Sequence, residues 1–258
     1  MRLTLSIVTT ALGLALSLAA CAPSGEVASS PSAPVDYAAA LADPQRPAAD
    51  SDRDAARHPA RLLAFAQVER GEVVGDYIMG GGYWTRILSN VVGPQGKVYA
   101  FQPTEFVAFR PAYGDEQNAA VTGRANVVPL RAPVAAPAFP ERLDTLITVQ
   151  NFHDLYIGAM PAGTAPKAIA ALYASLKPGG TLLVVDHSAV AGSGTTTTNA
   201  LHRIDKQAAI AALTAAGFVL EAESDLYARP DDPRTANVFA PEIRGKTDQF
   251  VLRFRKPG

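Results

Sequence analysis

Only one cysteine, Cys21, occurs in a chain of 258 residues. An intrachain disulfide is therefore excluded, and so is any metal site built from several thiolates. An excess of one charge is also missing. Lys and Arg number 23 against 24 Asp and Glu, with no strongly basic stretch. A nucleic-acid partner, which calls for a positive footprint, is not expected. No internal repeat is visible. The 4 histidines form no His-x-His or His-x-x-x-His pair. What is present is ordinary for a globular chain, 48% hydrophobic and 18% charged. That is enough for one well-packed domain once the N-terminal region is set aside.

The N-terminal region reads as a leader. Arg2 supplies a positive start, and Leu3 to Leu18 (LTLSIVTTALGLALSL) is mostly apolar. The run is short for a membrane span and ends in small residues, the pattern of a secretory signal. A plain signal peptide or a short membrane anchor would share these features. The ending Leu18-Ala19-Ala20-Cys21 resembles the lipobox of bacterial lipoproteins. That resemblance implies a signal peptide over residues 1–20 and acylation of the Cys21 thiol, which leaves no free thiol for a metal or for nucleophilic chemistry. It also implies a lipid membrane partner and a place on the periplasmic face of the cell envelope. Ala22 stands where some inner-membrane lipoproteins carry Asp, which favours the outer membrane. Residues 21–50 are rich in Ala, Ser, Pro and Asp and are expected to be a flexible tether, with room for a short helix near Tyr37 to Leu41. The folded domain is expected over residues 51–258.

Within that domain, Asp52 to Glu69 has helical spacing interrupted by Pro59, so two short helices or a kink are expected. From Glu72 onward, apolar strands alternate with helices. Strands are expected at 73–78, 97–101, 126–130, 143–149, 181–186, 218–226 and 248–255. Helices are expected at 83–92, 104–110, 164–176 and 206–216, the last closed by Gly217. Strands that are apolar throughout and separated by helices predict a mostly parallel sheet covered on both faces. The last two strands lack a helix between them and are expected to pair antiparallel.

The stretch VVGDYIMGGGYWT, residues 73–85, places Asp76 at the end of the first strand and Gly80-Gly81-Gly82 at the entrance to a helix. Glycines allow positive φ and close backbone approach, and the helix start adds free N–H donors. Such a turn suits a ligand beyond the carboxyl ends of the strands.

This stretch resembles the first motif of class I S-adenosylmethionine-dependent methyltransferases. Three later segments agree in order. LDTLI at 143–147 resembles the fourth strand, LKPGGTL at 176–182 the turn into the fifth, and AAGF at 215–218 the entry to the sixth. More narrowly, GGGYWT, QNFHDL, HRID and GKTDQFVLRFRKP resemble a group of bacterial predicted methyltransferases. The resemblance implies a seven-stranded Rossmann-like sheet with an antiparallel last strand and helices on both faces. It implies S-adenosylmethionine as cofactor, held by Asp76, Gly80, Gly81, Gly82, Tyr83, Gln102 and Asn151, and a small-molecule methyl acceptor. Two positions depart from the family pattern. Ile78 replaces a common glycine, and Gln102 replaces the acid that accepts bonds from the ribose hydroxyls. Loss of that charge would cost on the order of one or two kcal/mol.

Chemistry is expected from the histidines at strand ends. His153 follows the fourth strand in QNFHD and could serve as general base, with Asp154 orienting it or capping the next helix. His187 closes the fifth strand on the same side, after Asp186. His202, in HRIDK, could converge with them, but the long spacings favour substrate contact, and no metal site is expected. Tyr83 and Trp84 are expected to divide between core and pocket. The function these features predict is methyl transfer to a small molecule by an exported, lipid-anchored enzyme. The alternative is a catalytically degenerate binding or scaffold protein of the cell envelope, suggested by Ile78, Gln102 and a location away from cytoplasmic S-adenosylmethionine.

Overall fold

The computed structural model describes residues 2–4 and 35–258. The rest of the expected leader, Cys21 and the tether up to residue 34 lie outside the described residues. Among the described residues no helix is long and apolar enough to cross a membrane.

Four short helices come first: α1 Tyr37–Leu41, α2 Ala48–Ser51, α3 Asp54–Arg57 and α4 Pro59–Ala66. Then follow β1 Val73–Tyr77, α5 Tyr83–Val92, β2 Lys97–Phe101, α6 Thr104–Phe109, α7 Ala112–Val121, β3 Val127–Leu130 and β4 Leu143–Val149. The chain ends with α8 Thr164–Ser175, β5 Leu176–His187, α9 Thr198–Leu201, α10 Lys206–Ala215, β6 Val219–Ser224 and β7 Gln249–Arg255. The strands form one sheet in the order β3-β2-β1-β4-β5-β7-β6. Only β7 runs against its neighbours, as the expected antiparallel last strand.

That order decides where a ligand can sit. From β1 the chain winds outward through β2 and β3, then returns to place β4 on the other side of β1. Connections leave β1 and β4 in opposite directions, so a crevice opens beyond their carboxyl ends. β5 shows how the sheet is held between its layers. Leu182 and Val184 point into one buried cluster, with Leu172 of α8 and Leu213 of α10. Leu183 and Val185 point into the other, with Leu62 of α4 and Ile87 of α5. Alternate residues thus feed opposite faces, and burial on both explains the unbroken apolar run.

Three expectations need correction. Residues 35–50 are not a free tether up to the domain boundary. Ala40 is buried in the core cluster, and the Tyr37 hydroxyl donates to the Val68 carbonyl at 2.9 Å. Arg46 pairs with Asp54 at 2.6 Å, Asp50 with Arg86 at 2.7 Å, and Asp43 with Arg124 at 2.7 Å. The Ala-, Pro- and Asp-rich composition hid this attachment, which combines Val35, Tyr37, Ala40 and Leu41 packed on the core with these ion pairs. The LKPGG segment, expected as a turn, belongs to β5. The register against β4 shifts between Leu143 and Thr145, and the extra residues form a bulge containing Gly179 at φ 76°. Helix α7 has no counterpart in the sequence reading. It starts after Pro111, contains Gly114, and buries only Gly114, Gln117 and Ala120, too faint a stripe to read. The break at Pro59 is as expected, with His58 left-handed at φ 39° between α3 and α4.

The glycines before α5 differ in what they face. A Cβ on Gly82 would lie 2.4 Å from the Ala120 Cβ and 2.8 Å from Arg86 Nη1, whereas one on Gly80 would meet nothing within 4 Å. Both have positive φ, 81° and 55°. Gly80→Ala is therefore expected to cost about 1–2 kcal/mol of conformational strain alone. Gly82→Ala adds overpacking against α7 and is expected to cost about 3 kcal/mol or more. Urea midpoints of the two variants decide this, and equal losses would refute the packing role of Gly82.

Candidate active site

β1 delivers Asp76 to the crevice. The side chain is buried, and the Thr85 hydroxyl donates to its Oδ2 at 2.6 Å. Burial pushes the Asp76 carboxyl up to about 6, against the pull of the Thr85 bonds and Arg86. The chain then turns left-handed at Ile78, φ 60°, a conformation that is strained for a β-branched residue. Asn151, directly after β4, steadies the turn by donating Nδ2 to the Ile78 carbonyl at 2.8 Å. Its own Oδ1 accepts from the Thr148 hydroxyl.

A cavity of about 620 Å³ opens beyond these strand ends. Asp76, Ile78, Gly80, Gly81 and Tyr83 form one part of its wall, and Gln150, Asn151, His153, Asp154, His187 and His202 another. Aromatic and apolar side chains, among them Phe106, Phe109, Met160 and Phe239, complete it. Six of the seven residues expected to hold a cofactor thus meet at one place or border it. Gly82 borders it without lining it, because its bare α-carbon accommodates Ala120 of α7. Gln102 does not reach the wall. It is wholly buried at the end of β2, and neither its Oε1 nor its Nε2 has a hydrogen-bond partner. A buried, unpaired amide of this kind costs about 1–3 kcal/mol.

Tyr83 and Trp84 do not divide between core and pocket. Both are buried and both line the cavity, packed edge to face at 4.9 Å. The Tyr83 hydroxyl donates to Asp54 at 2.7 Å, while the Trp84 indole N–H is buried without an acceptor.

The sequence reading missed the contribution of α3 and its approach. Arg53 and Arg57 line the cavity, with their guanidinium carbons 4.8 and 4.6 Å from the Tyr83 ring centre. Burial and the adjacent Arg53 pull the Arg57 guanidinium below its ordinary value. Its side-chain acceptor is neutral, Gln150 Oε1 at 3.2 Å. Two cations in so plain an alanine-rich stretch carry no motif that could have announced them.

The histidines do converge. Asp186, wholly buried at the end of β5, accepts from the His153 backbone N–H at 2.6 Å and lies 2.8 Å from His153 Nδ1. On the other edge of the ring, His153 Nε2 is 3.3 Å from both Asp154 Oδ1 and His202 Nδ1. Burial alone would favour the neutral ring, but Asp186 and Asp154 outweigh it and raise His153 to about 10. The two carboxylates thus favour a proton on the ring, which works against the general-base role expected of it. His187 behaves in the opposite way. Burial, helped by the charge of His153, lowers it to about 4, and its Nδ1 lies 2.8 Å from the Thr247 hydroxyl. Asp154 resists the effect of burial and stays below its ordinary value through hydrogen bonds with His153 and His202. His202 is fixed by its neighbour Arg203, whose guanidinium pairs with the wholly buried Asp232 at 2.8 Å.

No family model matches the sequence, and no curated protein matches it. Solved structures do. A SAM-dependent methyltransferase from Aquifex aeolicus superposes with a TM-score of 0.56 at 20% identity, covering 86% of this chain and 98% of the other. The N-methyltransferase NodS from Bradyrhizobium japonicum WM9 gives 0.52 at 14%, covering 80% and 97%. The [4+2]-cyclase SpnF gives 0.54 at 17%, covering 79% and 81%. These likenesses concern the fold: the chain has the seven-stranded Rossmann-like architecture shared by S-adenosylmethionine-dependent methyltransferases.

Proposed function

We propose that the chain is an S-adenosylmethionine-dependent methyltransferase acting on a small molecule. One juxtaposition carries the reading. Open backbone at Gly80 adjoins the buried carboxylate of Asp76, in the same cavity as a cluster of titratable side chains from the ends of β4 and β5. The fold supports it, through neighbours named as methyltransferases. The volume of about 620 Å³ supports a small acceptor, since pockets of roughly 300–1,000 Å³ accommodate such ligands.

The residues present fit the cofactor at the β1 end. The cavity wall there lacks a side chain at Gly80, and a carboxylate stands beside it. Asp76 and the backbone of Gly80 and Gly81 are the groups to hold it, with Asn151 fixing the turn through the Ile78 carbonyl. Bound S-adenosylmethionine supplies an electrophilic methyl group on a sulfonium centre. The protein contributes position and exclusion of water. His153 and Asp154 orient the polar group of the acceptor. His187 lines the same wall, where burial makes it a reluctant base, with its Nδ1 2.8 Å from the Thr247 hydroxyl.

The N-terminal LAAC motif supports the further proposal that Cys21 is acylated and the chain is exported and membrane-anchored. The expected result is a lipid mass increment on the mature N-terminus and partition into the detergent phase. Cys21→Ser is expected to abolish both, and an unmodified thiol in the wild-type chain would end this proposal.

Two observations favour a second reading, a binding protein that has lost the reaction. Gln102 is off the cavity wall, and the turn at position 78 carries a branched side chain. Native mass spectrometry of the chain taken from its own envelope separates the two. An adenosyl ligand carried through purification favours the enzyme, and a different ligand favours the binder.

Calorimetry with S-adenosylmethionine and S-adenosylhomocysteine tests the main proposal directly. Saturable binding is expected, weakened at least tenfold in Gly80→Ala, whose methyl enters the open space. Neither heat nor a thermal shift at millimolar ligand would overturn it.

The Asp76 carboxyl gives an independent prediction. Its folded value of about 6 exceeds the ordinary carboxyl value of 3.8, so the folded state binds more protons between those two values. Stability therefore falls as pH rises across that window, and the cost is fully present above it. Asp76→Asn is expected to stabilise the fold at pH 7.5 by about 1–2 kcal/mol, after allowing for an unpaired amide N–H. The gain should disappear below pH 4, and ligand affinity should fall with it. Denaturant unfolding at the two pH values provides the check. A destabilised variant at pH 7.5 would show that the carboxylate serves the fold instead of a ligand.

A further inference from the structure

His153, Asp154 and His202 come together more closely than strand packing requires. His153 Nε2 is 3.3 Å from His202 Nδ1 and 3.3 Å from Asp154 Oδ1, and the third side of the triangle, His202 Nδ1 to Asp154 Oδ1, is 3.8 Å. A tetrahedral ion with ligand bonds of about 2.0–2.1 Å holds neighbouring ligand atoms about 3.3–3.4 Å apart. Two sides of the triangle already have that length, and a small side-chain adjustment closes the third. All three residues line the cavity, so further coordination positions would face its interior.

We propose that these three side chains form a binding site for a divalent transition-metal ion of the zinc class. The donor set supports that class: two imidazoles and one carboxylate suit zinc and its first-row neighbours, whereas magnesium and calcium are held by oxygen. Three protein ligands with an open position are also the arrangement of catalytic zinc centres, as opposed to closed structural ones.

The surroundings prepare the ligands. A metal-bound histidine commonly gives its second nitrogen to a carboxylate, which fixes the ring and its tautomer. His153 Nδ1 has such a partner in Asp186 at 2.8 Å, and the His153 backbone N–H holds the other oxygen of the same carboxylate at 2.6 Å. Nε2 is thereby aimed at Asp154 and His202, and an ion bound there takes the place of the Nε2 proton, which is released on binding. His202 adopts a left-handed backbone, φ 53°, an uncommon conformation away from glycine. It is held there by Arg203, whose buried guanidinium bonds Asp232, the Ser188 carbonyl at 3.0 Å and the Ala236 carbonyl at 2.8 Å. Its ring packs against Phe239 at 4.9 Å between ring centres. The two ligating histidines are 49 residues apart in sequence, which is why no short motif announces the site.

The site stands on these ligands alone and does not depend on the methyl-transfer reading. Its test therefore omits S-adenosylmethionine. The full chain is loaded with Zn2+, dialysed against metal-free buffer and analysed for metal content. About one zinc per chain is expected to remain. His202→Asn suits the left-handed backbone, since Asn tolerates it, and removes one imidazole ligand. Asp154→Asn removes the charged ligand. In competition with a chelator, both variants are expected to bind zinc at least tenfold more weakly, the minimum seen for loss of a supporting partner alone. Cys21→Ser is expected to keep the ion, which rules out the thiol as its ligand. Circular dichroism in the presence of chelator confirms which variants keep the fold. Failure of the wild-type chain to retain zinc would overturn the proposal, and so would equal retention by a folded His202→Asn chain.

Discussion

A carboxylate sealed from water, Asp186, ties the ends of the two central strands to each other. Through its oxygens it accepts the backbone N–H groups of His153 and His187, at 2.6 and 2.8 Å, and bonds the His153 ring. A buried charge without partners would be untenable, and truncating one member of such a pair costs about 3–5 kcal/mol. Here every bond also does positional service. The loop after β4 is pinned to the tip of β5, so His153 cannot swing away from the cavity. The sheet supplies the rigid frame, and one side chain converts it into a fixed arrangement of imidazoles.

The same carboxylate separates two histidines that start alike. His153 receives Asp186 on one nitrogen and Asp154 near the other, and its proton is retained to about 10. His187 is the next residue after Asp186 and is only part-buried, and its Nδ1 meets the Thr247 hydroxyl. Burial prevails there, and the ring stays neutral down to about 4. Neighbouring groups whose environments drive their proton affinities apart are the mark of sites that handle charge. Packing alone has no need for the difference.

The strands were legible because burial on both faces writes a continuous apolar run, as in LDTLITV at 143–149, where the observed strand coincides with the expected one. Helix α5 was legible at both ends, through Gly82 and Gly93. What failed to show were features defined by a distant partner. Gly80 and Gly82 look interchangeable in GGGYWT, and only Ala120, on a helix too faint to predict, tells them apart. Residues 35–50 look like linker because Asp50 and Asp43 find their partners across the fold at Arg86 and Arg124, while Arg46 pairs with Asp54 of α3. In the candidate site, Asp76, His153 and His187 could be named from strand ends. The charge state of His153 could not, since it depends on which carboxylates the fold aims at the ring. The place of His202 could not either, since Arg203 and Asp232 set it from within.

The cavity wall is not uniform, and the contrast bears on what it can do. Toward β1 it offers bare backbone at Gly80 and the reluctant carboxylate of Asp76. Toward β4 and β5 it offers imidazoles and Asp154, with Arg53 and Arg57 also on the wall. A ligand filling only the first part would leave the charged groups of the second without a use, and these groups are costly to bury. Two molecules of unlike polarity held side by side would satisfy both parts. On the methyl-transfer reading proposed above, these would be donor and acceptor, brought within reach of each other with water kept away. Ile78 fits this division. Its left-handed backbone presents the carbonyl to Asn151, linking the tip of β1 to the loop that carries His153. The strain at that residue is thus borne where the two parts of the wall meet.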